Sequence, residues 1–75
     1  MTKFKVIVGI SEVRWNSAAG ILEGLVERVD HGLNAAGDMI PWLIIRREDG
    51  LTTRLAGTND CLSSLQLEVL NPQEV

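Results

Sequence analysis

The chain has 75 residues, of which 45% are hydrophobic and 23% charged, and its only cysteine, Cys61, excludes an internal disulfide and a multi-cysteine zinc site. This length predicts a single domain over residues 1–75, with an ordered core at about 3–70 and a frayed tail at 71–75. Folding buries only about 60% of the surface of so short a chain, so we expect stabilisation by self-association.

The formal net charge of −3 argues against a protein that coats nucleic acid along its whole surface. One unpaired cysteine suits a reducing compartment, and the apolar run near Met1 is too short for a signal peptide or a membrane span. We therefore expect a cytoplasmic protein of bacterial or phage origin that makes no membrane contact.

Residues 3–10 alternate in polarity and predict a first strand. Residues 17–36 carry apolar side chains at helical spacing behind Asn16, a good N-cap residue. We expect a helix that ends at His31 or at Ala36, although Gly20 and Gly24 each weaken it by up to about 1 kcal/mol.

Residues 40–47 and 51–56 alternate around Glu48-Asp49-Gly50, which is typical of a hairpin with a glycine in the left-handed conformation. This geometry pairs Leu43 with Leu55 and Ile45 with Thr53 on the core face. Residues 57–60 form a turn, and residues 65–70 alternate as a last strand. We expect an α+β two-layer sandwich in β-α-β-β-β order, with one helix packed on a mainly antiparallel four-stranded sheet.

One helix covers only one face of this sheet. The uncovered face is expected to be basic and partly apolar and to carry Lys3, Lys5, Ile7, Trp42, Ile44, Arg46, Thr52, Arg54, Gln66, Glu68 and Leu70. Glu23, Glu27 and Asp30 would lie on the outer side of the helix, so the molecule would have an acidic side and a basic side. Trp15 is assigned to the core and Trp42 to the surface.

The uncovered face allows three readings. In the first, Trp42, Ile44, Ile7 and Leu70 form the apolar centre of a protein interface, with a second copy or a larger partner. Arg46 and Arg54 form its polar rim, and Lys3 and Lys5 belong to the same binding surface. In the second, the cations contact the phosphates of a single-stranded nucleic acid while Trp42 stacks on a base. In the third, the face is only solvated and Arg54 covers Trp42 in a cation–π contact. The first reading is favoured, and it makes the protein a regulatory or assembly module.

The residues do not form a recognisable catalytic set. Glu23, Glu27 and His31 recur every four residues and could share a metal ion on a helix, but a solvated helix face is the better interpretation. Cys61 could act as a nucleophile, yet a simple thiol is favoured. We expect no enzyme activity, no metal and no cofactor.

Residues 9–19, with Gly9, Ser11, Trp15, Ala18 and Ala19, resemble the first strand-to-helix junction of dodecins. The resemblance covers eleven residues and implies a flavin-binding oligomer in which Trp42 would stack on the flavin. The second half departs from the dodecin pattern, because residues 57–64 interrupt the strands.

Overall fold

Residues 6–71 are described by a computed structural model, in which a five-stranded antiparallel sheet carries one short helix. The elements are β1 (Glu12–Ser17), β2 (Gly20–Leu33), β3 (Met39–Arg47), β4 (Thr52–Ala56), α1 (Asn59–Ser64) and β5 (Glu68–Val69). The strand order is β4-β3-β2-β1-β5, so β1 to β4 form a meander and β5 returns beside β1. The α+β class is thus confirmed in outline, with five strands where four were predicted.

The long helix predicted over residues 17–36 is wrong. Residues 18–19 form a turn, in which the Ser17 hydroxyl accepts a hydrogen bond from the Ala19 amide (3.1 Å), and β2 follows. The dodecin resemblance fails for the same reason, since its strand-to-helix junction falls on β1 and the hairpin that leads to β2.

A β-bulge explains the helical spacing of this segment. Val26 pairs with Ile45 and Arg28 with Ile44, so Glu27 is the extra residue in β2. Core-facing positions in β2 therefore change from even to odd numbers, and the apolar side chains that point to the core side are Leu22, Val26, Val29 and Leu33. Their spacing of four, three and four residues is that of one face of a helix.

β2 pairs with β1 along its first part and with β3 along the rest. We call the point near Gly24 where the two pairings overlap the crossover. Residues 20–25 pair with β1, and Gly24 is also where pairing with β3 begins, opposite Arg47. A Cβ atom on Gly24 would lie 2.5 Å from the Arg46 carbonyl oxygen and 2.5 Å from Ile45 Cγ2. Only glycine allows the backbones of β2 and β3 to approach this closely.

The first strand predicted over residues 3–10 is also wrong where the structure describes it; residues 3–5 lie outside the described range. Residues 8–10 form a turn in which Gly9 has a φ of 81°. The buried Ser11 hydroxyl accepts a hydrogen bond from the Ile7 amide (2.7 Å), and the Ser11 amide donates to the Ile7 carbonyl (2.9 Å). These bonds fold the segment back before β1 starts.

The hairpin of β3 and β4 is confirmed with its predicted register. Leu43 lies opposite Leu55 and Ile45 opposite Thr53. Gly50 adopts a φ of 84° and its amide donates to the Arg47 carbonyl (3.0 Å), while the Arg47 amide donates to Leu51 (2.8 Å). The three-residue loop expected from Glu48-Asp49-Gly50 is therefore present.

The C-terminal part differs from the single strand predicted at residues 65–70. Thr58 caps α1 by accepting a hydrogen bond from the Cys61 amide (3.3 Å), and the helix presses Leu62 into the core. Gln66, with a φ of 54°, follows the helix, and only Glu68–Val69 then pair with β1. The Asn71 side chain extends this edge by accepting from the Glu12 amide (2.7 Å) and donating to the Ile10 carbonyl (2.9 Å).

The core lies on one side of the sheet, which we call the near face. Trp15, as predicted, is buried there with only 2% of its surface exposed. It belongs to a cluster of buried side chains made of Val13, Trp15, Val26, Leu43, Ile45, Leu55, Leu62 and Leu67. Within residues 6–71 no helix has the length and apolar character needed to cross a membrane; the cellular location stays a prediction.

We predict that Gly24→Ala lowers the free energy of unfolding by about 1–3 kcal/mol, because its methyl group must displace backbone atoms of β3. Gly32→Ala is the matched control in the same strand: its Cβ would meet no atom closer than 3.5 Å, so the change should stay within about 0.5 kcal/mol. Urea unfolding of both variants measures the difference, and equal stabilities would contradict this account of the crossover.

Candidate binding face

We call the opposite side of the sheet the far face. Alternation along each strand places a common set of residues on it. No helix or strand of residues 6–71 packs against this face, because α1 contributes its buried Leu62 to the near side. The far face contains Glu12, Arg14, Asn16, Ile21, Glu23, Leu25, Glu27, Arg28, Asp30, Ile40, Trp42, Ile44, Arg46, Thr52, Arg54, Ala56 and Glu68.

This face is not the basic surface expected from the sequence. Glu23, Glu27 and Asp30 were assigned to the outer side of a helix, but β2 brings them beside the arginines. Among the described residues the far face carries the four arginines 14, 28, 46 and 54 and the five carboxylates 12, 23, 27, 30 and 68. The prediction of a molecule with one acidic and one basic side is therefore wrong.

Most of these arginines are neutralised by ion pairs between or within strands. Arg14 Nη2 lies 2.6 Å from Glu68 Oε1, and this hydrogen bond, followed by the charge of Glu68, raises the pKa of Arg14. Arg28 Nε lies 3.2 Å from Asp30 Oδ2, and Arg46 pairs with Glu27. The β-bulge contributes to these ion pairs, because it directs the consecutive side chains of Glu27 and Arg28 to the far face.

Arg54 is the exception. Among residues 6–71 it is the one far-face arginine with no carboxylate oxygen within 4 Å of its guanidinium. Its Cζ atom lies 4.5 Å from the centre of the Trp42 ring, a cation–π contact. The indole is itself oriented, because Trp42 Nε1 donates a hydrogen bond to the Gly32 carbonyl (3.3 Å). A charge with no carboxylate partner among residues 6–71 therefore lies over an oriented aromatic ring.

The same arginine lies on an open edge of the sheet. The Gly57 amide donates to Pro41 (2.8 Å) and the Arg47 amide to Leu51 (2.8 Å), so these two pairs bound the ladder between β3 and β4. Because hydrogen-bonded pairs alternate in an antiparallel ladder, Leu55 and Thr53 bond to β3, whereas residues 52, 54 and 56 direct their amides and carbonyls outward. None of these six outward groups has a partner within residues 6–71.

The structure places the residues proposed for partner binding in different surroundings. Arg46 and Arg54 are exposed and Trp42 is half-buried, all on the far face as expected. Ile44 is also on this face but is only 5% exposed, so very little of its side chain is accessible to a partner. Ile7 is half-buried in the turn before β1 and is not a strand residue of the sheet; Lys3 and Lys5 lie outside the described residues.

The strands separate the residues considered for metal binding. His31 lies opposite Pro41 on the near side, whereas Glu23 and Glu27 lie on the far face. No group of three or more histidine, cysteine or acidic side chains within residues 6–71 is arranged to hold a metal ion. Cys61 is exposed at the start of α1, where its amide bonds to Thr58.

A shallow cleft of about 340 Å³ opens where β2 parts from β3 beyond Gly24. Its lining residues are Ile21, Leu22, Glu23, Arg47, Glu48 and Asp49. Arg47 Nη2 lies 3.2 Å from Asp49 Oδ2, and carboxylates outnumber the single cation. The cleft thus offers charged and apolar contacts but no cysteine, serine or histidine side chain.

Sequence reasoning placed Trp42, Arg46, Arg54 and Glu68 on this face but missed Glu23, Glu27 and Asp30. The signal that could have found them is the composition of residues 20–33, where three glycines accompany β-branched valines and an isoleucine. Glycine and β-branched residues both disfavour a helix, and the latter favour a strand. With residues 20–33 as a strand, Glu23 and Asp30 lie on the same sheet as the arginines and can share a face with them.

Comparison of the chain with protein-family models, with curated proteins and with solved structures finds no significant match to any of them.

We predict that Arg54→Ala increases quenching of Trp42 fluorescence by acrylamide, because the guanidinium no longer shields one side of the ring. It should also lower the free energy of unfolding by about 0.5–1 kcal/mol, the usual worth of an exposed cation–π contact. Trp15 is buried and adds little to the change. Arg14→Ala, on the same face but in β1, two strands away from Trp42, is the control; equal quenching in the two variants would contradict the stacking.

Proposed function

We propose that this protein is a non-enzymatic binding module that recognises protein through its far face, either by assembling with itself or by docking on a larger partner. The observation that carries the proposal is the state of Arg54. It is exposed, lies on the Trp42 ring and lacks a carboxylate partner among the described residues. Tryptophan and arginine are the residues most enriched at the energetic centres of protein interfaces.

The charge pattern of the face favours a protein over a nucleic acid. Phosphate binding requires several cations that are free to replace counterions. Here Arg14, Arg28 and Arg46 each have a carboxylate within ion-pair distance. A face on which arginines and carboxylates are mixed, and on which Arg54 has no carboxylate partner among residues 6–71, suits the mixed polar surface of a protein partner.

The non-enzymatic part of the proposal rests on how the reactive groups are distributed. Cys61 lies at the start of α1, and the histidine, His31, lies in β2 opposite Pro41. Neither of them lines the cleft beside Arg47. The described groups thus supply surface for binding and no assembled nucleophile and base.

Two measurements test this function. Light scattering gives the mass of the protein in solution, and Trp42→Ala should lower that mass if the far face joins copies of the chain. If the protein is a monomer, selection from a displayed random-peptide library should yield sequences that bind it and that bind Trp42→Ala and Arg54→Ala at least tenfold more weakly. Arg28→Gln serves as the control on the same face.

Two outcomes would overturn the proposed function. A monomer for which no selected peptide depends on Trp42 or Arg54 contradicts the proposal. Single-stranded DNA or RNA binding that falls with salt and is weakened by Arg54→Ala would replace it with the nucleic-acid alternative.

A further inference from the structure

The open edge of β4 bears directly on what kind of protein segment could bind here. Residues 52, 54 and 56 direct three N–H and three C=O groups away from β3, and none is bonded within residues 6–71. Thr52 and Arg54 are exposed. An edge of this kind can accept another strand through main-chain hydrogen bonds. The other edge, β5, is only two residues long.

A second copy of β4 is a poor occupant of this edge. Antiparallel pairing that uses all the outward groups places Arg54 directly opposite Arg54 of the other copy, with Thr52 opposite Ala56 on either side. Like charges in directly opposed positions destabilise a sheet. Arg54 therefore acts against self-pairing and favours a strand that brings a carboxylate.

The position of Trp42 adds a second requirement. Trp42 lies opposite Ala56 in a pair without mutual hydrogen bonds, the type in which side chains are closest. Because Ala56 is small, the residue that an added strand places beyond it on the far face lies next to the indole. An apolar side chain at that point would cover both the alanine methyl group and the ring edge.

We infer, as a refinement that rests on the proposed function, that the partner binds as an extended segment added antiparallel to β4. Its acidic residue faces Arg54, and an apolar residue two positions earlier faces Ala56 and Trp42. The recognised pattern is apolar-x-Asp/Glu, read on the far face, with the main chain satisfied by residues 52, 54 and 56. Specificity comes from the alternate side chains of the added strand and from Arg54, which has no carboxylate partner among the described residues.

The test uses an acetylated, amidated peptide of sequence Ser-Leu-Thr-Glu-Val-Thr-Ser and the protein labelled with nitrogen-15. Binding should shift the amide resonances of residues 52, 54 and 56 and slow their hydrogen exchange. Arg54→Glu should weaken binding at least tenfold, and a peptide with lysine in place of glutamate should restore binding to that variant. Arg28→Gln, on the same face, should bind as the wild type does.

Proline variants separate the edge from the face. Thr52→Pro removes an outward N–H but keeps Arg54 and Trp42, and should weaken binding at least tenfold; Ala56→Pro is the second such variant. Folding of each is checked by the emission of buried Trp15. Absence of peptide binding, or binding unchanged in both proline variants, overturns strand addition. Library peptides that still depend on Trp42 would then leave the proposed function standing.

Discussion

The close contact between β2 and β3 at Gly24 is the constraint on which the rest of the fold depends. A single strand of 14 residues serves both neighbours, and it passes from one to the other where a Cβ atom would collide with the Arg46 carbonyl. The crossover lets Trp15 on β1 and Ile45 on β3 join one core. The bulge at Glu27 then resets which side chains of β2 face that core.

The far face follows from the same strand. Because β2 runs between β1 and β3, its acidic side chains lie among arginines from both neighbouring strands and pair with Arg46 and, within β2, with Arg28. β4 is the last strand, so Arg54 has a neighbouring strand on one side only, and that neighbour offers Ile44 and Trp42 in place of a carboxylate. Within residues 6–71, an edge position thus explains both why Arg54 has no carboxylate partner and why the outward backbone groups beside it are unbonded.

The part of the site that could be predicted lies in the hairpin of β3 and β4. Its turn chemistry and its alternation are local signals, and together they placed Trp42, Arg46 and Arg54 on one face. The carboxylates of β2 were misplaced, because their side depends on whether residues 20–33 form a helix or a strand. Ile44 shows a further limit: its face was predicted, but its exposure of only 5% is a property of the folded molecule that strand alternation does not give.

By itself, the sequence determined the β3–β4 hairpin with its register and the burial of Trp15. The hairpin depends on turn residues and strand alternation that are close along the chain, and a large aromatic side chain favours the core. The tertiary structure decided between a helix and a strand for residues 17–36. A bulged strand and an amphipathic helix give the same four-three-four spacing of apolar residues, so the spacing does not distinguish them, whereas pairing with β1 and β3 does. It also decided the charge of the far face, since charges distant in sequence offset one another only after the strands are placed side by side.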